Sequence, residues 1–236
     1  MLVQYVVQET RASIIHANCL GGFRVFVNGV EIDRSQWKTK KAENLFKFLL
    51  INRHQLPKEK ILEALWPESD LKSGDANLRM ALTHVRKALG LDGETSESVI
   101  LRRGVVYLDP KIKVHTDYQL FTAIAHQALE DSDTDNPLVF GLLEQAAGLY
   151  GGEFLPDDLY DDWSISLRSQ LHRLYLRVLL GRVESYHRQG KLGPAIQACR
   201  HYLALEPADE TVTRKAMEYC GRVGEDLRLY PFIKSW

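Results

Sequence analysis

The chain has 236 residues, 45% of them hydrophobic and 26% charged, with a formal net charge of −1. That length holds two modest domains, each able to bury a core, and the composition is globular rather than disordered or fibrous. No apolar run approaches the roughly 20 residues that span a bilayer, the N-terminus lacks the basic-then-apolar order of a signal peptide, and three cysteines without a C-x-x-C argue against a disulfide framework or zinc knuckle; a cytoplasmic protein with no membrane association is expected. The charge is uneven. Residues 1–113 carry 18 Lys+Arg against 13 Asp+Glu, and residues 114–236 carry 12 against 18. A basic front and an acidic back suggest one module for a polyanion and another for a different partner.

Residues 1–12 read either as an extra strand or as the remnant of a linker. From Ser13 the pattern is β-rich: Ile14–Leu20 and Phe23–Val27, separated by Gly21–Gly22. Asn28–Gly29 is a two-residue hairpin signal, with Val30–Ile32 as the return strand. Lys40–Asn52 has a helical period, with Ala42, Leu45, Phe46, Leu49 and Leu50 on one side. Lys41, Glu43, Asn44 and Lys47 fall largely on another. Arg53–Pro57 is a connector whose Pro57 suits a first helical position, and Lys58–Trp66 is a short helix with Ile61, Leu62, Leu65 and Trp66 inward. Pro67–Lys72 is an acidic-polar loop.

The stretch Ser73–Gly90, SGDANLRMALTHVRKALG, carries the strongest pattern. Leu78, Leu82, Val85 and Leu89 recur at helical spacing and form a narrow dry stripe. Ser73 or Asp75 can cap the start and Gly90 the end. The opposite sector holds Ala76, Met80, Thr83, His84 and Lys87, flanked by Arg79 and Arg86, and lacks acidic residues beyond the first turn. Such a helix could lie in a DNA major groove, and on this stretch alone an ordinary solvated surface helix is the commoner reading. A polar loop, LDGETSES, follows. Val99–Leu108 then reads as two β segments around Arg102–Gly104, placing Arg102 and Arg103 at a hairpin tip. There they are suited to phosphate or a minor groove, or form a solvated turn.

From Lys111 the pattern becomes all-helical. Asp117–Glu130, Pro137–Tyr150, a long helix within Asp157–Gln189, Leu192–Leu205 and Ala208–Gly221 are the expected helices. The long one begins with or without a short separate turn. DSDTDNP is a linker-like break. Val183 and Met217, Tyr186 and Cys220, and Gly190 and Gly224 are pairs 34 residues apart. With Pro207 at a junction, this is tetratricopeptide spacing.

Asp157, Asp158, Asp161 and Asp162 are the densest acidic cluster; carboxylates at a helix start suit its dipole better than a metal site does. His16 with Cys19, and His115 with Asp117, are isolated pairs and read as structural. There is no H-E-x-x-H, no phosphate-binding G-x-x-x-x-G-K-[ST], no G-x-S-x-G and no dinucleotide-binding glycine pattern. No enzyme activity, metal or cofactor is therefore expected.

The ordered set of sheet, helix, short helix, loop, long helix and hairpin carries a resemblance. WKTKKAENLFKFLLINRHQLPKEKILEALWP resembles the first two helices of the OmpR-type winged-helix DNA-binding domain. NLRMALTHVRKALG resembles its recognition helix, and ILRRGVVYLDP its wing. The following stretch, YGGEFLPDDLYDDW with LRSQLHRLYLRVLLGRVESYHRQGKLGPAIQACRHYLALEPADE, resembles the bacterial transcriptional activator domain of regulators abbreviated SARP. The resemblance implies an α+β winged helix-turn-helix with an N-terminal antiparallel sheet over residues 13–113. An all-α, tetratricopeptide-like domain is implied over 114–236. It implies a DNA-binding transcriptional regulator of the activator type, binding double-stranded DNA as a homodimer. Ala76, Met80, Thr83, His84 and Lys87 would face the major groove. Arg79, Arg86, Lys38, Lys40 and Lys41 would hold phosphates, and Arg102 and Arg103 would serve the wing. Glu68, Ser69 and Asp70 lie in the loop that can contact RNA polymerase in that family, or in a solvated connector. The chain departs from the family pattern at two places. Val105 or Val106 stands where the wing usually has a second glycine, and Thr83 and His84 stand where two arginines are common. The family's helical array also normally continues past this point, so a short terminal helix, a fragment or a compact version is expected. The alternative is an adaptor whose winged helix docks protein and whose helical repeat binds a peptide.

Overall fold

The computed structural model describes residues 13–91, 97–130 and 136–224. The expectations for residues 1–12, for 92–96 and 131–135 of the two polar breaks, and for the stretch from 225 lie outside the described residues. The described chain forms two compact units. One takes the residues up to Asn18 together with Arg24–Thr116; the other takes Cys19–Phe23 together with the residues from Asp117 onward.

The first unit contains, in order, β1 (Ile14–Asn18), β2 (Arg24–Val27), β3 (Val30–Glu31), a 3-10 turn (Arg34–Trp37) and α1 (Lys40–Ile51). Then follow β4 (Leu56–Pro57), α2 (Lys58–Leu65), α3 (Leu71–Leu89), β5 (Val99–Arg102), β6 (Val105–Leu108) and β7 (Lys113–Thr116). The expected hairpin is present: Asn28 and Gly29 both have positive φ, and Val27 pairs with Val30. β1 alternates as a half-buried strand should, with Ile15 and Ala17 buried and His16 and Asn18 exposed. One sheet has the order β3-β2-β1-β7 and the other β4-β6-β5.

Two strands depart from the expected pattern. Lys113–Thr116 is not the start of the helical part; it pairs parallel with β1, Ile15 opposite Val114, and His16 stacks on His115 at 5.2 Å. Its partner is about a hundred residues earlier, so no local pattern announces it. Leu56–Pro57 is likewise a strand rather than a connector, pairing with Val106 and Val105. Pro57 therefore precedes α2 as its cap position instead of opening the helix.

Helix α1 starts at Thr39, whose hydroxyl accepts the Ala42 N–H. Its apolar side is buried as expected, with Phe46 stacked on Trp37. Its other side is largely buried too. Glu43, Asn44 and Lys47 are also buried, because α2, α3 and the 3-10 turn all pack on α1. Lys47, 1% exposed, gives its ammonium to the Glu43 carboxylate one turn earlier. Each charge offsets the other where water cannot.

The second unit contains α4 (Asp117–Glu130), α5 (Pro137–Leu149), a 3-10 turn (Pro156–Asp158), α6 (Asp162–Arg188), α7 (Leu192–Leu205) and α8 (Glu210–Val223). Neighbouring helices pack in sequence, and α4 also touches α6. Tyr150 stacks on Tyr175 with centroids 3.9 Å apart, and Phe121 packs on both. The Asp117 carboxylate accepts the backbone N–H groups of Cys19, Leu20 and Tyr118 at 2.7–2.9 Å. Burial nevertheless raises its pKa. Gly21 (φ +77°) lies against the backbone of Gly151 and Gly152, leaving no room for a Cβ. In the repeat, Gly190 and Gly224 both adopt positive φ just after α6 and α8. The paired positions are not equally buried: Val183 and Cys220 are buried, while Met217 and Tyr186 are half-buried.

The acidic turn is organised by Arg168, only 8% exposed. Its guanidinium donates to the carbonyls of Phe154, Leu155, Asp158 and Leu159 and to Ser164 Oγ. Among the described residues, no group of three His, Cys, Asp or Glu side chains could hold a metal ion. No helix there is long and apolar enough to cross a membrane.

Candidate nucleic-acid interface

Helix α3 begins two residues earlier than its sequence pattern suggests. Asp70, not Ser73 or Asp75, is the N-cap: its carboxylate accepts the N–H groups of Lys72 and Ser73 and the Ser73 hydroxyl. Those bonds, chiefly from Ser73, hold the carboxyl below its usual pKa. Gly90 ends the helix in the left-handed conformation, as its position implies. Between the caps, Leu78, Leu82, Val85 and Leu89 are buried, joined by Ala81 and Ala88. This burial fixes the rotation of the helix, so its opposite sector faces water.

That sector presents Ala76, Arg79, Met80, Thr83 and Lys87, all exposed; Met80 is 55% exposed. The Thr83 hydroxyl donates back to the Arg79 carbonyl at 3.0 Å, so its oxygen remains an acceptor. His84 is half-buried, and its Nδ1 is enclosed with no hydrogen-bond partner. Its reach outward is therefore through the other edge of the ring. Arg86 behaves differently from the free flanking cation expected. Its Nε donates to the Val99 carbonyl at 2.8 Å and its Nη2 to Glu97 at 2.6 Å, tying α3 to β5.

Strands β5 and β6 turn through Arg103 and Gly104, both at positive φ, with Arg102 opposite Val105. Arg102 and Arg103 are exposed at this tip. The tip is latched to α2: the Lys58 N–H donates to the Gly104 carbonyl at 2.9 Å. The Lys58 side chain reaches α3, where its ammonium bonds both Asp75 oxygens at 2.8 Å. Lys58, Asp75, Arg79 and Arg103 thus line one cleft of about 210 Å³. Three cations and one carboxylate leave it net positive, the character that suits a phosphate oxygen. Lys58 was not legible as a site residue. Nothing local in the sequence places it beside a hairpin more than forty residues later.

The remaining expected cations are elsewhere in the unit. Lys38, Lys40 and Lys41 are exposed around the start of α1, and none lines this cleft. Lys38 has φ +57° at the end of the 3-10 turn, Lys40 lies 3.4 Å from Glu43, and Lys41 donates to the Leu65 carbonyl at 2.5 Å. In the loop before α3, Glu68 is exposed, Ser69 is half-buried, and Asp70 is engaged in capping.

The solved structure of EmbR from Mycobacterium tuberculosis, in complex with a low-affinity phosphopeptide, is similar in fold. The TM-score is 0.69 at 16% identity, over 88% of this chain and 55% of that one. This chain therefore spans little more than half of the EmbR chain. No curated protein matches the sequence. The small N-terminal sheet region followed by an all-helical part is consistent with the EmbR fold. The family model of the bacterial transcriptional activator domain matches residues 116–234, half of the chain. On that match, the chain belongs to the bacterial transcriptional activator domain family.

Proposed function

We propose that the chain is a sequence-specific, DNA-binding transcriptional regulator of the activator type. Its first unit acts as an OmpR-type winged helix, and its helical unit serves dimerisation, partner or effector contact in the cytoplasm. The observation that carries this reading is the cationic cleft, where Arg79 of α3 and Arg103 of the hairpin meet beside an exposed face free of carboxylates beyond Asp75. On this reading α3 enters the major groove. Met80 packs on a thymine methyl, and Thr83 and His84 bond base edges. Lys87, Arg79, Arg103 and Lys58 hold phosphates, and Arg102 follows the minor groove or backbone. Lys38, Lys40 and Lys41 extend the phosphate contacts along α1. Glu68 and Ser69 are the loop residues left for an RNA polymerase contact.

The test is a salt-dependent titration of duplex DNA with variants. Lys87→Ala and Arg103→Ala should weaken binding on all sequences, each lowering the salt slope by about 1. Thr83→Ala and His84→Ala should also change sequence preference. Variants indistinguishable from wild type on every duplex would overturn the assignment. The commitment of Arg86 to β5 removes one cation from the face and favours the rival reading, a protein-docking module. A stable protein partner recovered without any DNA footprint would establish that rival instead.

A further inference from the structure

We propose that Thr83 and His84 read duplex DNA with fixed and opposite hydrogen-bond polarity: Thr83 Oγ1 accepts from a base amino group, and His84 Nε2 donates to a guanine. The proposal rests on α3 lying in the major groove.

A threonine hydroxyl is ordinarily both donor and acceptor, and a neutral imidazole carries its proton on either nitrogen. Neither freedom survives in α3. Thr83 Oγ1 donates its one hydrogen to the Arg79 carbonyl at 3.0 Å. The residue is exposed, and that oxygen has only lone pairs left to offer.

His84 is constrained from its inner side. It is half-buried, between the exposed Thr83 and the buried Val85, and its Nδ1 is enclosed with no hydrogen-bond partner. A proton on Nδ1 would leave a desolvated N–H without an acceptor. A lone pair there costs less, because an unsatisfied acceptor is tolerated better than an unsatisfied donor. The proton of the neutral ring therefore sits on Nε2, and the outer edge of the ring is a donor only.

The major groove sorts bases by these two polarities. Guanine presents two acceptors, N7 and O6, and cytosine only its N4 amino group. Adenine presents N7 beside its N6 amino group, and thymine O4 beside its methyl. A lone donor such as His84 Nε2 is best matched by guanine, where neither an amino group nor a methyl opposes it, and is refused by cytosine. A lone acceptor such as Thr83 Oγ1 is matched by the amino group of adenine or cytosine and refused by guanine and thymine. The two residues are consecutive, about 100° apart around the helix, so they reach different bases.

Two measurements test this. The first needs no DNA. Long-range proton–nitrogen spectra of the isotope-labelled full chain at about pH 8, above the ordinary imidazole range, report the tautomer. The His84 signals are those absent from His84→Gln. A protonated Nε2 beside a bare Nδ1 is expected, and the reverse tautomer would overturn the proposal. The second measurement selects a duplex from a randomised library and then removes single atoms from its bases. At the pair whose preference is lost in His84→Ala, guanine analogues lacking N7 or O6 are substituted. At least one should weaken wild type about fivefold more than His84→Ala, the effect of one hydrogen bond. At the pair whose preference is lost in Thr83→Val, an analogue lacking the amino group of adenine or cytosine should weaken wild type by a similar factor relative to Thr83→Val. Variants that keep every base preference, or analogues that weaken wild type and variant alike, would overturn the polarity and leave DNA binding standing. A library that enriches no motif would overturn the DNA reading, and this proposal with it.

Discussion

Replacing Arg168 by Met should destabilise the helical unit more than any surface change. The side chain makes five hydrogen bonds. Three are 2.9 Å long, to the Phe154 and Asp158 carbonyls and Ser164 Oγ; the Leu159 and Leu155 carbonyls are reached at 3.2 and 3.4 Å. Glu153 lies 3.8 Å away but is half exposed, so it adds little. A bond from a charged donor is worth about 1.5–3 kcal/mol, and bonds sharing one side chain do not add fully. Removing the guanidinium also relieves the cost of burying a cation, which offsets part of the loss. The balance is about 3–5 kcal/mol, because the turn's carbonyls keep their burial and lose their donors. For a unit of this size that lowers the melting temperature by roughly 12–20 °C. Urea unfolding followed by far-ultraviolet circular dichroism measures it. Arg168→Lys should fall between, since one ammonium cannot reach four carbonyls. A midpoint for Arg168→Met within about 1 kcal/mol of wild type would refute the view that this arginine holds the turn.

Two further stability predictions concern the first unit. Asp70→Ala should lower the melting temperature and fray the start of α3, whereas Asp70→Asn, which keeps the acceptor, should do less. The Asp70 carboxyl titrates below its ordinary value of 3.8, so its stabilisation is complete above that pH. It is lost as the pH falls through the depressed value, and acid unfolding of the wild type and Asp70→Asn should converge there. For the buried pair, Lys47→Met alone leaves the Glu43 carboxylate only the longer contact to the half-exposed Lys40 and should cost about 3 kcal/mol. The double change Glu43→Leu with Lys47→Met should return to within about 1 kcal/mol of wild type; a double-mutant cycle with no coupling would contradict the pairing.

Features with a local cause were legible in the sequence. The dry stripe of α3 follows from Leu78, Leu82, Val85 and Leu89 at helical spacing, and Gly90 ends it because only a residue at ease with positive φ fits there. Asn28–Gly29 announced its turn for the same reason. What was illegible depends on distant partners. Lys113–Thr116 becomes a strand only through β1, and Leu56–Pro57 only through β6. Lys47 falls off the apolar side of α1 by its spacing, and it is buried only because three neighbours close over that helix. Within the candidate site, the exposure of Thr83 and Lys87 followed from rotation of the helix. The capture of Arg86 by Val99 and Glu97, and the arrival of Lys58 beside Arg103, did not. Both depend on where the hairpin folds back.

On the proposed function, α3 and the hairpin read duplex DNA. The most direct measurement selects ligands for the full chain from a randomised duplex library, then titrates the selected duplex across potassium chloride concentrations. The account predicts enrichment of a defined motif and affinity falling steeply with salt. It further predicts that the Thr83→Ala, His84→Ala double variant enriches a different motif while keeping the same salt slope. A library that yields no motif, with affinity insensitive to salt, would contradict it.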